Sequence, residues 1–122
     1  MKARKRVLLA VLAMIPVLVA TACDGGDGGN GGATRLELTA TEFHFDPADL
    51  AVPADTAVTI VLANEGAVEH DLVIEETGEM VVHVGPGETG EGQVTLPTGT
   101  YTFYCSIPGH REAGMEGVLT AS

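Results

Sequence analysis

The chain has 122 residues, 45% hydrophobic and only 4% aromatic, and its 17 acidic residues outnumber 6 basic ones for a formal charge of −11. That length bounds it to one domain with a single modest core. A surface this acidic excludes nucleic acid and anionic lipid as partners and favours a protein with a basic patch.

In chain order, residues 1–22 read as an export signal of the lipoprotein type. Lys2, Arg4, Lys5 and Arg6 form a basic start, and Val7 to Ala20 form an apolar run broken only by Pro16. The run matches a signal core of about 7–15 residues and falls short of the roughly 20 that a bilayer span needs. Ala20-Thr21-Ala22-Cys23 resembles a lipoprotein cleavage box, which implies acylation of Cys23. The alternative is ordinary cleavage near Ala22, which would leave Cys23 as a spare and reactive thiol. Asp24 to Gly32 reads DGGDGGNGG, so residues 23–32 form a lipidated Cys followed by a flexible polar tether. Residues 33–122 remain as the globular domain. Without residues 1–22 only Arg35 and Arg111 face the 17 acidic side chains, a formal charge of −15.

Within the domain no window carries the period of an amphipathic helix, whereas short alternating runs are punctuated by Gly, Pro, Asn and Asp. Arg35 to Phe45 reads as one strand, with Phe43 and Phe45 pointing inward and His44 outward. Asp49 to Val52 follows, then the β-branched Ala57 to Ala63, which ends at Asn64-Glu65-Gly66. Asp71 to Glu75 and Met80 to Val84 are divided by Thr77-Gly78, with His83 facing solvent. Glu91 to Leu96 and Tyr101 to Cys105 flank Pro97-Thr98-Gly99, and Glu116 to Ala121 closes the chain. Seven to eight short strands predict an all-β sandwich with Greek-key connections.

The chemistry concentrates in Cys105-Ser-Ile-Pro-Gly-His110-Arg-Glu-Ala-Gly-Met115. In the preceding strand Tyr101, Phe103 and Cys105 share a face, which seats two aromatic rings below the thiol. His70 stands upstream, at the head of the apolar run Leu72-Val73-Ile74. Two imidazoles, one thiolate and a weakly held thioether are the donor set of a mononuclear blue-copper centre. Soft sulfur suits Cu(I) and imidazole suits Cu(II), so a fixed arrangement of both serves one-electron transfer. Zinc or nucleophilic catalysis fits these four residues less well. Pro108-Gly109 turns the chain before His110, and Asp71 is placed to hydrogen-bond across to the loop that carries Cys105. The rival readings are a buried structural thiol at Cys105, a solvated loop imidazole at His110, a satisfied strand-end imidazole at His70, and a gap-filling side chain at Met115. Arg111 and Glu112 read as solvated on the loop, with tuning of partner docking as the alternative, and the acidic clusters Glu75-Glu76 and Glu88 to Glu91 read as a solvated rim, with docking patches as the alternative.

These residues also carry a family resemblance. Phe103 to Gly117 resembles the C-terminal copper loop of cupredoxins of the plastocyanin and azurin type. Asn64 to Ile74 resembles the segment bearing their first histidine, and Phe45 to Pro53 resembles their early strands. The resemblance implies a Greek-key sandwich holding one type 1 copper ion, ligated by His70, Cys105, His110 and Met115. Asn64 and Asp71 would support those ligands, with Asp71 standing where many relatives carry Asn.

The expected function is a monomeric one-electron carrier, lipid-anchored on the extracytoplasmic side of a bacterial-type membrane, and not an enzyme. Its partners would be redox proteins, cytochrome-like or oxidase-like, with a basic docking patch; nucleic acid is excluded, and the membrane contact is through the lipid alone. The alternative is a copper chaperone, store or sensor of the same fold. A copper oxidase or reductase would need further histidines, and a plain scaffold would leave the Cys-His-Met spacing unexplained.

Overall fold

The computed structural model describes residues 34–122, so the export signal, Cys23 and the tether lie outside the described residues. Nine strands run in the order β1 (Thr34–Thr41), β2 (His44–Asp46), β3 (Asp49–Val52), β4 (Val58–Asn64), β5 (His70–Ile74), β6 (Glu79–Val84), β7 (Thr89–Val94), β8 (Gly99–Tyr104) and β9 (Glu116–Ala121). They form two sheets, β2-β1-β4-β7 and β3-β9-β8-β5-β6, and the chain changes sheet after β2, β3, β4, β6 and β7. The all-β sandwich is therefore as expected, with one more strand than the seven to eight anticipated.

The central strands are made by β-branched sequence buried on both faces. Val58 to Leu62 and His70 to Ile74 are all buried, and both strands are central in their sheets, β4 between β1 and β7 and β5 between β6 and β8. Leu38, Phe45, Ile60, Leu62, Leu72, Ile74, Phe103 and Leu119 fill the space between the sheets. Phe45 and Phe103 meet edge to face at 5.3 Å between centroids. Cys105 and Met115 belong to the same buried cluster, so the site is the polar end of the core.

Two departures from the sequence reading have local causes. The single strand expected over Arg35 to Phe45 is a hairpin, with β1 and β2 separated by a turn at Glu42 and Phe43. Phe43 adopts φ 65° there, and its side chain is exposed rather than inward. That left-handed conformation is rare for a bulky residue and leaves no mark in composition. The strand expected over Glu91 to Leu96 instead spans Thr89–Val94, because β4 continues to pair with it as far as Ala63 opposite Thr89. His44 and His83 are exposed, as expected.

Candidate metal centre

The loop between β8 and β9 is closed by its own backbone. The Cys105 amide donates to the Met115 carbonyl at 3.1 Å, and the Met115 amide donates to the His110 carbonyl at 3.1 Å. Gly109 and Gly114 take φ values of 85° and 106°, a region that a side chain would strain. Three donor-bearing residues are thus tied to one another before any metal enters. His70 arrives independently on the first residue of β5. Asn64 steadies the approach to it: its Nδ2 donates to the Val68 carbonyl at 2.7 Å and the Gly85 carbonyl at 3.0 Å, while its Oδ1 accepts from the Gly66 amide at 2.8 Å.

Asp71, the next residue along β5, points to the opposite face and reaches the copper loop. Its Oδ1 accepts from the Ser106 amide at 2.6 Å, and its Oδ2 accepts from the Ser106 hydroxyl. The carboxylate is 1% exposed. A buried charge of this kind persists only when hydrogen-bonded, so Asp71 and Ser106 bind the His70 strand to the Cys105 loop.

These supports bring the sulfur and both imidazoles together. Cys105 Sγ lies 3.5 Å from His110 Nδ1 and 3.9 Å from His70 Nδ1. The three donor atoms all fall within 4.8 Å of one another, and all three residues are buried. A metal bonded at about 2.0 Å to nitrogen and about 2.3 Å to sulfur, at trigonal angles, would hold such donors roughly 3.7 Å apart. The observed spacings fit one shared ion. Met115 is fully buried beside them. A His2Cys plane with a thioether is the donor set that favours copper over zinc.

Protonation is set the same way. Burial, and then His110 close by, hold His70 below its ordinary 6.5, so its ring is neutral and able to ligate near pH 7. Burial pushes the Cys105 thiol above its ordinary 9.0. A cation in the site would favour the thiolate that the bare pocket resists.

The same two shifts predict the pH profile of the metal-free protein. Below about 6.5 the unfolded chain takes up a proton that folded His70 refuses, so stability falls with pH. Above about 9 the unfolded chain sheds a thiol proton that folded Cys105 retains, so stability falls again as pH rises. Urea unfolding at about pH 5, 7.5 and 10 should give the highest midpoint at the central value. A monotonic rise across that range would contradict the reading.

Two features of the site escaped sequence reading. The Phe43 ring stands edge-on to His110 at 5.2 Å between centroids. Arg111, expected in solvent, stacks over Tyr104 at 4.3 Å and donates to Glu75 at 3.0 Å and Glu116 at 3.1 Å. It clamps the loop onto the ends of β5, β8 and β9. An aromatic residue near the copper loop and acids flanking it were visible in sequence, but their convergence is a matter of tertiary contact.

A family model described as a cupredoxin-like domain matches residues 8–121. The chain belongs to the cupredoxin family. It is 35% identical over 94 residues to the copper-resistant cuproprotein CopI of Rubrivivax gelatinosus, an alignment covering 60% of this chain. The chain spans 56% of that relative's length. Among solved structures it resembles dithionite-reduced auracyanin from Roseiflexus castenholzii, with a TM-score of 0.64, 27% identity, and coverage of 75% of this chain and 99% of that one. Auracyanin A from Chloroflexus aurantiacus shares the fold, with a TM-score of 0.64, 24% identity, and coverage of 75% of this chain and 100% of that one. In this cupredoxin, His70, Cys105, His110 and Met115 cluster as a type 1 copper site.

Proposed function

We propose that this cupredoxin is a one-electron carrier rather than an enzyme, working as a monomer on the extracytoplasmic side of a membrane to which the chain is tethered through Cys23. Copper held by the four ligands supplies a Cu(II)/Cu(I) couple. The chain's own part is to keep the donors in one arrangement through the closed loop, the Asp71–Ser106 link and the Arg111 clamp, so that little moves when the charge changes.

One observation carries the reading. His70, Cys105 and Met115 are each 0% exposed, whereas His110 is 8% exposed. The electron has one short way out, through the His110 edge. Exposed Phe43 abuts the His110 ring, and Pro108 and the half-buried Ile107 precede it in the loop, an apolar surround suited to brief, close contact. Without residues 1–22 the formal charge is −15, which favours partners with a basic patch, cytochrome-like or oxidase-like, and an association rate that falls with salt.

The alternative is a copper-handling protein, favoured by the copper-resistance name of its Rubrivivax relative. Stopped-flow mixing of the reduced protein with an oxidised basic c-type cytochrome, beside incubation with a Cu(I) chelator, separates the two. A carrier transfers electrons at about 10⁵ M⁻¹s⁻¹ or faster, more slowly as salt rises, and keeps its copper against the chelator. Rapid loss of copper with sluggish electron transfer would establish the alternative.

A further inference from the structure

His70 presents an unsolved bond on the side away from the sulfur. With Nδ1 turned toward Cys105 and committed to the metal, a neutral ring carries its proton on Nε2. That Nε2 is buried and is the one buried side-chain nitrogen or oxygen among the described residues with no hydrogen-bond partner. A metal-bound imidazole ordinarily has an acceptor at this position, which fixes its tautomer and raises its basicity.

The group facing it is Glu42, on the turn between β1 and β2. Glu42 Oε1 lies 3.9 Å from His70 Nε2. The same oxygen accepts from the Ala67 amide at 2.5 Å, in the loop leading to His70. That amide is the main reason the Glu42 carboxyl sits below its ordinary range. Gly66 keeps the space open: a Cβ there would strike Glu42 Oε1 and come within 3.0 Å of His70 Nε2. A glycine, a held carboxylate and an orphaned N–H therefore share one small recess.

We propose that Glu42 acts on the copper through His70, its carboxylate receiving the Nε2 proton directly or across one water. At 3.9 Å the contact is longer than a direct hydrogen bond, and a water is the usual bridge over such a gap. The negative charge makes the imidazole a stronger donor and favours Cu(II) over Cu(I). Glu42 thereby lowers the reduction potential without touching the metal. The inference rests on the copper site but not on the electron-carrier reading, since it concerns the isolated protein.

The test compares the copper-loaded protein with Glu42→Gln and Glu42→Ala by spectroelectrochemistry. The glutamine keeps an oxygen for the Ala67 amide and loses only the charge. It should retain the visible band and shift the Cu(II)/Cu(I) equilibrium about fivefold toward Cu(I). In the reduced, diamagnetic protein, ¹⁵N-resolved spectra should show a slowly exchanging His70 Nε2 proton, whose exchange quickens in Glu42→Ala. If Glu42→Gln matches wild type and only Glu42→Ala moves the midpoint, the carboxylate is a mere anchor for Ala67 and the proposal falls. A wild-type protein with no visible copper band would overturn both this inference and the copper site beneath it.

Discussion

Cys105→Ser is expected to abolish the intense visible band of the copper-loaded protein and to weaken copper binding well beyond the roughly 10–100-fold that loss of a supporting residue costs. The thiolate is the soft, strongly bonded member of the set, and its charge transfer to copper gives the colour. Serine offers a hard hydroxyl that does not ionise near neutral pH. The fold should survive, because serine matches cysteine in shape and its hydroxyl can bond to either imidazole nitrogen now facing the sulfur. Visible absorption, copper titration and circular dichroism measured together provide the check. Cys105 is the free cysteine among the described residues. A variant that stays blue would place the copper elsewhere and remove the basis of the proposed function.

Asp71→Ala should cost about 2–4 kcal/mol of stability in the metal-free protein. Two hydrogen bonds to a buried carboxylate disappear, and the Ser106 amide is left without its acceptor. Copper should also bind more weakly, because Cys105 adjoins Ser106 and His70 adjoins Asp71. Asp71→Asn retains an oxygen for the Ser106 amide, and the serine hydroxyl can rotate to accept from the new NH2. It should therefore recover most of the loss. Urea unfolding of the three proteins settles the matter: an alanine variant within about 0.5 kcal/mol of wild type would show that the link is dispensable.

The ligands were legible because the chain writes most of them close together. Cys105, His110 and Met115 lie within one loop whose turns are marked by Pro108, Gly109 and Gly114, and His70 stands at the boundary between irregular sequence and an apolar strand. Period-two alternation likewise exposed most strands. Glu42 and Phe43 were not legible. Their turn has no Gly, Pro, Asn or Asp to announce it, and Phe43 occupies a backbone region that tertiary packing imposes on it. Arg111 was misjudged for a related reason. A charged residue in a glycine-bearing loop reads as solvated, and only the meeting of β5, β8 and β9 supplies the ring and the two acids that hold it. Short-range pattern identifies donors, whereas the groups that tune them come from elements distant in sequence.

The direction of β1 has a geometric consequence. Thr34 pairs with Val58 at one pole of the sandwich, and the strand then climbs to Thr41, next to the turn whose Phe43 abuts His110. Seven steps of about 3.3 Å separate the two ends by roughly 23 Å. Whatever precedes Thr34 therefore joins the sandwich at its foot, with the His110 edge at its crown. A flexible leash attached at the foot would fix no orientation, but it would leave that crown unobstructed for visitors from any side.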